Sequence, residues 1–103
     1  MDLKQLNINL KEIVDKHIKV LPDFNSTDEV IVLLKRNKYA SENITFNNEI
    51  NKIVEEYLLD KELDISDKEK LRFLIKHHKT KYIYGFNSPG DVETYEMLFG
   101  NQI

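Results

Sequence analysis

The chain has 103 residues, of which 41% are hydrophobic and 32% charged, and its formal net charge is −3. This length and apolar content predict one folded domain and exclude an intrinsically disordered chain. Because the sequence contains no cysteine, disulfides and thiolate metal sites are excluded, as is typical of a reducing compartment. No stretch approaches the roughly 18 apolar residues of a membrane helix, and the N-terminus lacks the apolar run of a signal peptide. We therefore expect a cytoplasmic protein with no membrane partner.

The sequence favours helices, because only three glycines and two prolines interrupt it and it contains none of the usual two-residue hairpin turns. Helix 1 is predicted over about residues 3–20, where apolar side chains recur at spacings of three and four. Asp2 is its expected N-cap. The Asn-rich stretch at 7–9 is a potential break in this helix.

The second helix is predicted over residues 27–38, with Ser26 and Glu29 forming a capping box at its start. The run Val30–Val32 is β-branched, and such residues fit strands better than helices. A strand at this place therefore stays open as an alternative.

Three further helices complete the prediction. The third is capped by Thr45 or a nearby Asn and has the clearest helical period in the chain. The fourth begins after Ser66. The fifth begins at Ser88, with proline at its first position, and Gly100 fits a left-handed stop after it.

These elements predict an all-α fold, a single compact bundle of four to five short helices over residues 1–103, with a short extended segment near 82–86. The alternative is an α+β fold in which residues 30–34 and 82–86 pair as two short strands. In an extended segment, Tyr82, Tyr84 and Phe86 would project from the same side.

The net charge conceals a strong asymmetry along the chain. Residues 41–67 carry eight acidic and two basic side chains, whereas residues 68–81 carry six basic and one acidic. A charge distribution of this kind steers a protein toward an oppositely charged partner. It marks the basic stretch and the aromatic residues after it as the candidate binding site, which consists of Lys76, His77, His78, Lys79, Lys81, Tyr82, Tyr84 and Phe86.

Structural explanations also exist for this stretch. The basic residues would be stabilised at the C-terminal end of a helix, where carbonyl groups are exposed. The aromatic residues could equally cover the core of the bundle.

The acidic connector Asp60–Glu69 spaces its acids like a helix–loop–helix calcium loop. Ile65, however, stands where that loop needs glycine, and Leu71 stands where it needs glutamate. We therefore expect a solvated acidic loop rather than a calcium site.

Zinc is not expected either. His77 and His78 are neighbours, so on a helix their side chains point about 100° apart. His17 lies on the apolar stripe of helix 1, where a ring nitrogen bonded within the protein is the simpler interpretation. The sequence also lacks the motifs of nucleophilic and phosphate-binding enzymes, so we expect no enzyme and no cofactor.

The segment YIYGFNSPGD, residues 82–91, resembles part of the colicin-type immunity proteins. The resemblance covers these ten residues alone, and no residue role is carried over from it.

The expected function is that of a small non-enzymatic protein-binding protein, such as an inhibitor, an immunity protein or a regulator of phage or mobile-element type. The richness of the chain in Asn, Lys and Ile is typical of proteins from AT-rich genomes. The alternative is a nucleic-acid-binding regulator that uses the basic and aromatic stretch 68–86, with lysines on phosphates and aromatic rings on bases. The chain could act as a monomer or a homodimer.

Overall fold

The structure is a computed structural model that describes residues 1–100. It contains five helices and, within that range, no strand: α1 (Leu3–Lys19), α2 (Glu29–Ser41), α3 (Ile44–Leu58), α4 (Ile65–Tyr84) and α5 (Pro89–Phe99). The prediction of an all-α bundle is therefore confirmed, and the α+β alternative with paired strands is wrong.

Three helices begin where the sequence indicates. The side chain of Asp2 accepts a hydrogen bond from the backbone N–H three residues later and caps α1. Asn43, one of the asparagines near Thr45, does the same for α3. Ser88 caps α5, whose first residue is proline. Each cap supplies an acceptor to an N–H group that has no partner within the helix.

The first turns of α2 and α4 differ in detail from the prediction. Asp28 rather than Ser26 caps α2, and its carboxylate accepts from the N–H of Val30 at 2.9 Å. Asp64 rather than Ser66 caps α4. Aspartate caps a helix as well as serine does, and its charge also interacts favourably with the N-terminal end of the helix dipole.

Two further expectations, a break within the first helix and a left-handed stop after the last, are also corrected. The Asn-rich stretch at 7–9 does not break α1, which is helical throughout. Gly100 follows α5 with φ of −59°, so the left-handed stop expected there is absent.

The segment 82–86 is not extended. Helix α4 continues to Tyr84, and Gly85, with φ of 86° and its N–H bonded to the carbonyl of Lys81 at 2.9 Å, ends it. The aromatic residues Tyr82 and Tyr84 fit strands by propensity, but burial of the first of them in the core outweighs that preference. The first residue able to adopt the left-handed conformation without strain is the glycine, so the helix ends there.

Helix α4 is the centre of the molecule, because it packs against α1, α2 and α5, while α3 packs against α1 and contacts α4 through Phe46. The molecule is elongated, with principal dimensions of 48 × 28 × 22 Å. The core residues are Leu6, Leu10, Val14, Ala40, Phe46, Ile50, Tyr57, Leu71, Leu74, Tyr82 and Phe99.

Helix α2 is held to the last turn of α4 by polar side chains. The guanidinium of Arg36 donates to the carbonyl of Tyr82 at 3.0 Å. The side-chain amide of Asn37, oriented with its nitrogen toward the end of α4, donates to the carbonyl of Ile83 at 3.0 Å. These bonds satisfy carbonyl groups that have no partner within α4. Only Ala40 of α2 is buried.

None of the helices between residues 1 and 100 combines the length and the apolar composition needed to cross a membrane.

Candidate functional site

Three of the eight residues in the candidate binding stretch line one surface depression. We call it the α4–α5 groove; it has a volume of about 290 Å³. Its lining residues are Lys76, Thr80, Tyr84, Phe86, Ser88 and Asp91. Tyr84 and Phe86 are exposed at 42% and 59%, so both rings are available at the surface.

The helix period and one turn bring these residues together. Lys76, Thr80 and Tyr84 are four residues apart and therefore share one face of α4. The left-handed turn at Gly85 then redirects the chain. Asn87 donates to the carbonyl of His77 at 2.9 Å, which fixes the connection against α4.

The lysines of the stretch do not share one face. Lys76 lines the groove. Lys81 is exposed, and its ammonium donates to the carbonyl of Gly85 at 3.2 Å. Lys79 is half-buried. The positive charge thus surrounds the C-terminal half of α4 rather than forming a single row.

His77 is buried and attaches α5 to α4. Its Nδ1 lies 2.8 Å from Oδ2 of Asp91. Its ring stacks on Tyr95 with centroids 4.1 Å apart and an interplanar angle of 4°. The side chain therefore supports the floor of the groove and is not part of its exposed surface.

His78 is also buried and belongs to a separate polar network. Its Nε2 lies 2.8 Å from Oδ1 of Asn7 on α1, and the Asn7 amide in turn bonds to the hydroxyl of Tyr95 on α5. Burial, with smaller contributions from the charges of His77 and Lys11, lowers the pKa of His78 to about 3. The imidazole is therefore neutral at physiological pH, and its network joins three helices.

Tyr82 lies in the core, fully buried. Its ring stacks on Phe46 with centroids 4.0 Å apart, and its hydroxyl accepts from the amide of Asn43 at 2.9 Å. Burial raises the pKa of this hydroxyl. Of the three aromatic residues in the stretch, one is a core residue and two are exposed, so the expectation of a common face is wrong.

His17 bonds within the protein, as the sequence indicates, because its Nε2 lies 2.9 Å from Oε2 of Glu49. The bond that Lys16 donates to Glu49 lowers the pKa of that carboxyl, burial opposes this effect, and the bond with His17 adds to it. In the part of the chain that the structure describes, no three His, Asp or Glu side chains converge as metal ligands.

The acidic connector forms a turn between α3 and α4. Asp64 caps α4, and Asp60 adopts a positive φ of 59°. A second depression of about 430 Å³ lies between the two helices beside this turn; it is lined by Val54, Leu58, Lys61, Leu63, Lys68, Leu71, Arg72 and Ile75.

Sequence reasoning missed a second exposed surface, on α2. The side chains of Val30, Ile31 and Leu34 are exposed at 64%, 43% and 63%. We call these three residues the α2 stripe. The signal for it is present in the sequence, since residues 30–34 are all apolar whereas one buried helix face accommodates only about half of the positions. The β-branched residues instead suggested a strand.

No protein-family model matches the chain, and neither a curated protein nor a solved structure matches it significantly. A function for this chain therefore rests on the chemistry of its own surfaces.

Proposed function

We propose that this protein is a small non-enzymatic binding protein that docks an acidic partner protein on the α4–α5 groove. The observation that carries the proposal is the exposure of Tyr84 and Phe86 beside Lys76. Tyrosine and phenylalanine are enriched in protein interfaces, where a few aromatic anchors supply much of the binding energy.

The size of the groove favours a macromolecular partner. Pockets for small molecules commonly occupy about 300–1,000 Å³ and enclose most of the ligand. The α4–α5 groove, at about 290 Å³, is at the lower end of that range. It would accommodate one or two side chains of a larger partner.

The charge of α4 favours an acidic partner. Residues 68–81 carry six basic and one acidic side chain, and Lys76 and Lys81 are exposed. Charges of this kind accelerate encounter with an oppositely charged protein and repel basic ones.

A capture experiment tests this proposal. The tagged protein and its Tyr84→Ala/Phe86→Ala variant are compared for partners recovered from a low-GC bacterial lysate. Both residues are exposed, so the variant should remain folded, and recovery of the specific partner should fall by at least about tenfold. The matched control is Ile44→Ala/Ile65→Ala, which changes two exposed residues at 74% and 77% exposure outside the groove. Equal recovery by all three proteins would place the interface elsewhere.

Nucleic acid is the second candidate, since exposed rings beside lysines also fit bases and phosphates. We expect little binding of random DNA or RNA at low salt, because the chain as a whole is acidic. Strong, steeply salt-dependent binding would overturn the protein-partner proposal if it were lost in Lys76→Ala/Lys79→Ala/Lys81→Ala. It should then also persist in the control, Lys4→Ala/Lys19→Ala/Lys52→Ala, whose residues are exposed elsewhere.

The proposal extends to the class of protein, because a binding surface without an active site is typical of proteins that act by occupying a partner. An inhibitor, an immunity protein or a regulator of phage or mobile-element type acts by occupying a partner and needs no active site of its own. The Asn-, Lys- and Ile-rich composition supports an AT-rich source. A cytoplasmic location is part of this proposal.

A further inference from the structure

The α2 stripe is a hydrophobic surface without a partner in the described part of the chain. Val30, Ile31 and Leu34 are exposed on a helix whose other side attaches to α4 through Arg36, Asn37 and the buried Ala40. Residues three and four apart form one face of a helix. The stripe is therefore a continuous apolar face on the side of α2 that α4 does not cover.

Charged residues stand at the two ends of the stripe, and their signs are opposite. Asp28 and Glu29 precede it at the N-terminal end of α2, and Lys35 and Lys38 follow it. Neither lysine forms an ion pair among residues 1–100. The order along the helix is thus acidic, apolar, basic.

We propose that the α2 stripe binds the α2 stripe of a second copy of this chain, with the two helices antiparallel about a two-fold axis. In that arrangement the acidic end of each helix lies beside the basic end of the other. The apolar residues of the two copies then meet at the centre, as an isologous interface requires.

Charge also selects the orientation. A parallel pair would place acidic ends together and basic ends together, and like charges in contact are destabilising. The dipoles of two antiparallel helices likewise bring opposite partial charges together. The order of charges along α2 is therefore complementary to that of a second copy only when the two helices are antiparallel.

The dimer should be weak. Each copy contributes one face of a 13-residue helix, which makes the interface smaller than the standard size of about 1,600 Å². We expect association in the range of roughly tens to hundreds of micromolar. This surface is distinct from the α4–α5 groove, so the inference does not depend on the proposed function.

Mass measurement by sedimentation equilibrium on the full chain, from about 5 µM to about 1 mM, tests the interface. The mean mass should rise from 12.2 kDa toward twice that value. Leu34→Glu should raise the dissociation constant by at least about tenfold, because it places a charge at the apolar centre. The control Ile65→Glu changes a residue that is 77% exposed at the start of α4 and should leave association unchanged. Circular dichroism checks that both variants are folded.

Single cysteines test the orientation, since the chain contains none of its own. We place the two-fold axis midway between the acidic and the basic end of α2. The two copies of Ile31→Cys are then about 4–5 Å apart along the helix direction, and the two copies of Lys38→Cys are about 16 Å apart. A disulfide requires Cα atoms within about 7 Å. Mild oxidation should therefore cross-link Ile31→Cys efficiently. Lys38→Cys should not cross-link with itself.

Either experiment can overturn the proposal. A mass that stays monomeric up to about 1 mM, or association that Leu34→Glu does not weaken, would remove the stripe as a dimer interface. Rapid self-cross-linking of Lys38→Cys, matching that of Ile31→Cys, would indicate parallel helices and would contradict the charge argument.

Discussion

Helices α2 and α4 reverse the usual relation between hydrophobicity and burial. The first half of α2 is a continuous apolar run, residues 30–34, yet the helix buries a single side chain, Ala40. Helix α4 is dense in lysine and arginine, yet it buries five side chains and contacts each of the four other helices. What decides burial is the spacing of the apolar residues around the helix, not their number. Leu71, Leu74, His78 and Tyr82 recur every three or four residues and form a narrow face, whereas the run in α2 surrounds its axis.

The comparison predicts its largest contrast in stability for two leucines. Leu74→Ala in α4 should lower the free energy of unfolding by about 2–5 kcal/mol, because it leaves a cavity at a fully buried position. Leu34→Ala in α2 should change it by no more than about 0.5 kcal/mol, since that side chain is 63% exposed. Urea denaturation of both variants measures the difference. Similar losses would show that the α2 stripe is buried in the folded protein.

The second contrast concerns the buried imidazole of α4. The pKa of His78 is about 3 in the folded protein and 6.5 when exposed. Between these values the unfolded chain binds a proton that the folded protein does not, so stability falls as pH falls from 6.5 and is unaffected by this group above that pH. The loss should be about 1.4 kcal/mol per pH unit in the middle of that window.

Urea denaturation at several pH values between about 7 and 4.5 measures this slope. The matched variant is His78→Gln, which keeps a donor for Asn7 but has no titrating group. Its slope should be shallower than that of the unmodified protein by about 1.4 kcal/mol per pH unit. Equal slopes would mean that His78 is protonated in the folded state.

The smallest of the expected contrasts concerns the turn that ends α4 beside α2. Gly85→Ala should destabilise the protein by about 1–2 kcal/mol, because φ of 86° is unfavourable for residues with a Cβ. The added carbon would also lie 3.1 Å from the guanidinium of Arg36. Gly90→Ala is the control, since no atom lies within 4 Å of its added carbon. Thermal unfolding of the two variants compares them, and equal midpoints would contradict the strain at Gly85.

Much of the fold could be predicted from the sequence, because α1, α3 and α5 each combine a helical period with a recognisable cap. The end of α4 could not be placed in the same way. The stretch from Tyr82 to Tyr84 carries a strand preference, and only the tertiary contact of Tyr82 with Phe46 and Asn43 makes the helix the better conformation.

The candidate site was predicted in composition but not in geometry. Lys76, Tyr84 and Phe86 do line one groove, whereas the two histidines are buried by contacts with residues of other helices. His77 contacts Asp91, and His78 contacts Asn7 at a separation of 71 residues. Pairings over such separations depend on how the helices pack, and a single sequence carries no local signal for them.

The last turn of α4 serves both exposed surfaces. Its carbonyls at Tyr82 and Ile83 hold α2, and its side chain at Tyr84 lines the groove. A helical turn is only about 5.4 Å long. A typical partner covers about 800 Å² of a protein's surface, which is far more than one turn presents. A partner that covers the groove and also extends over α2 would compete with a second copy for space. Under the two proposals, the concentration of the protein itself would regulate how accessible the groove is to its partner.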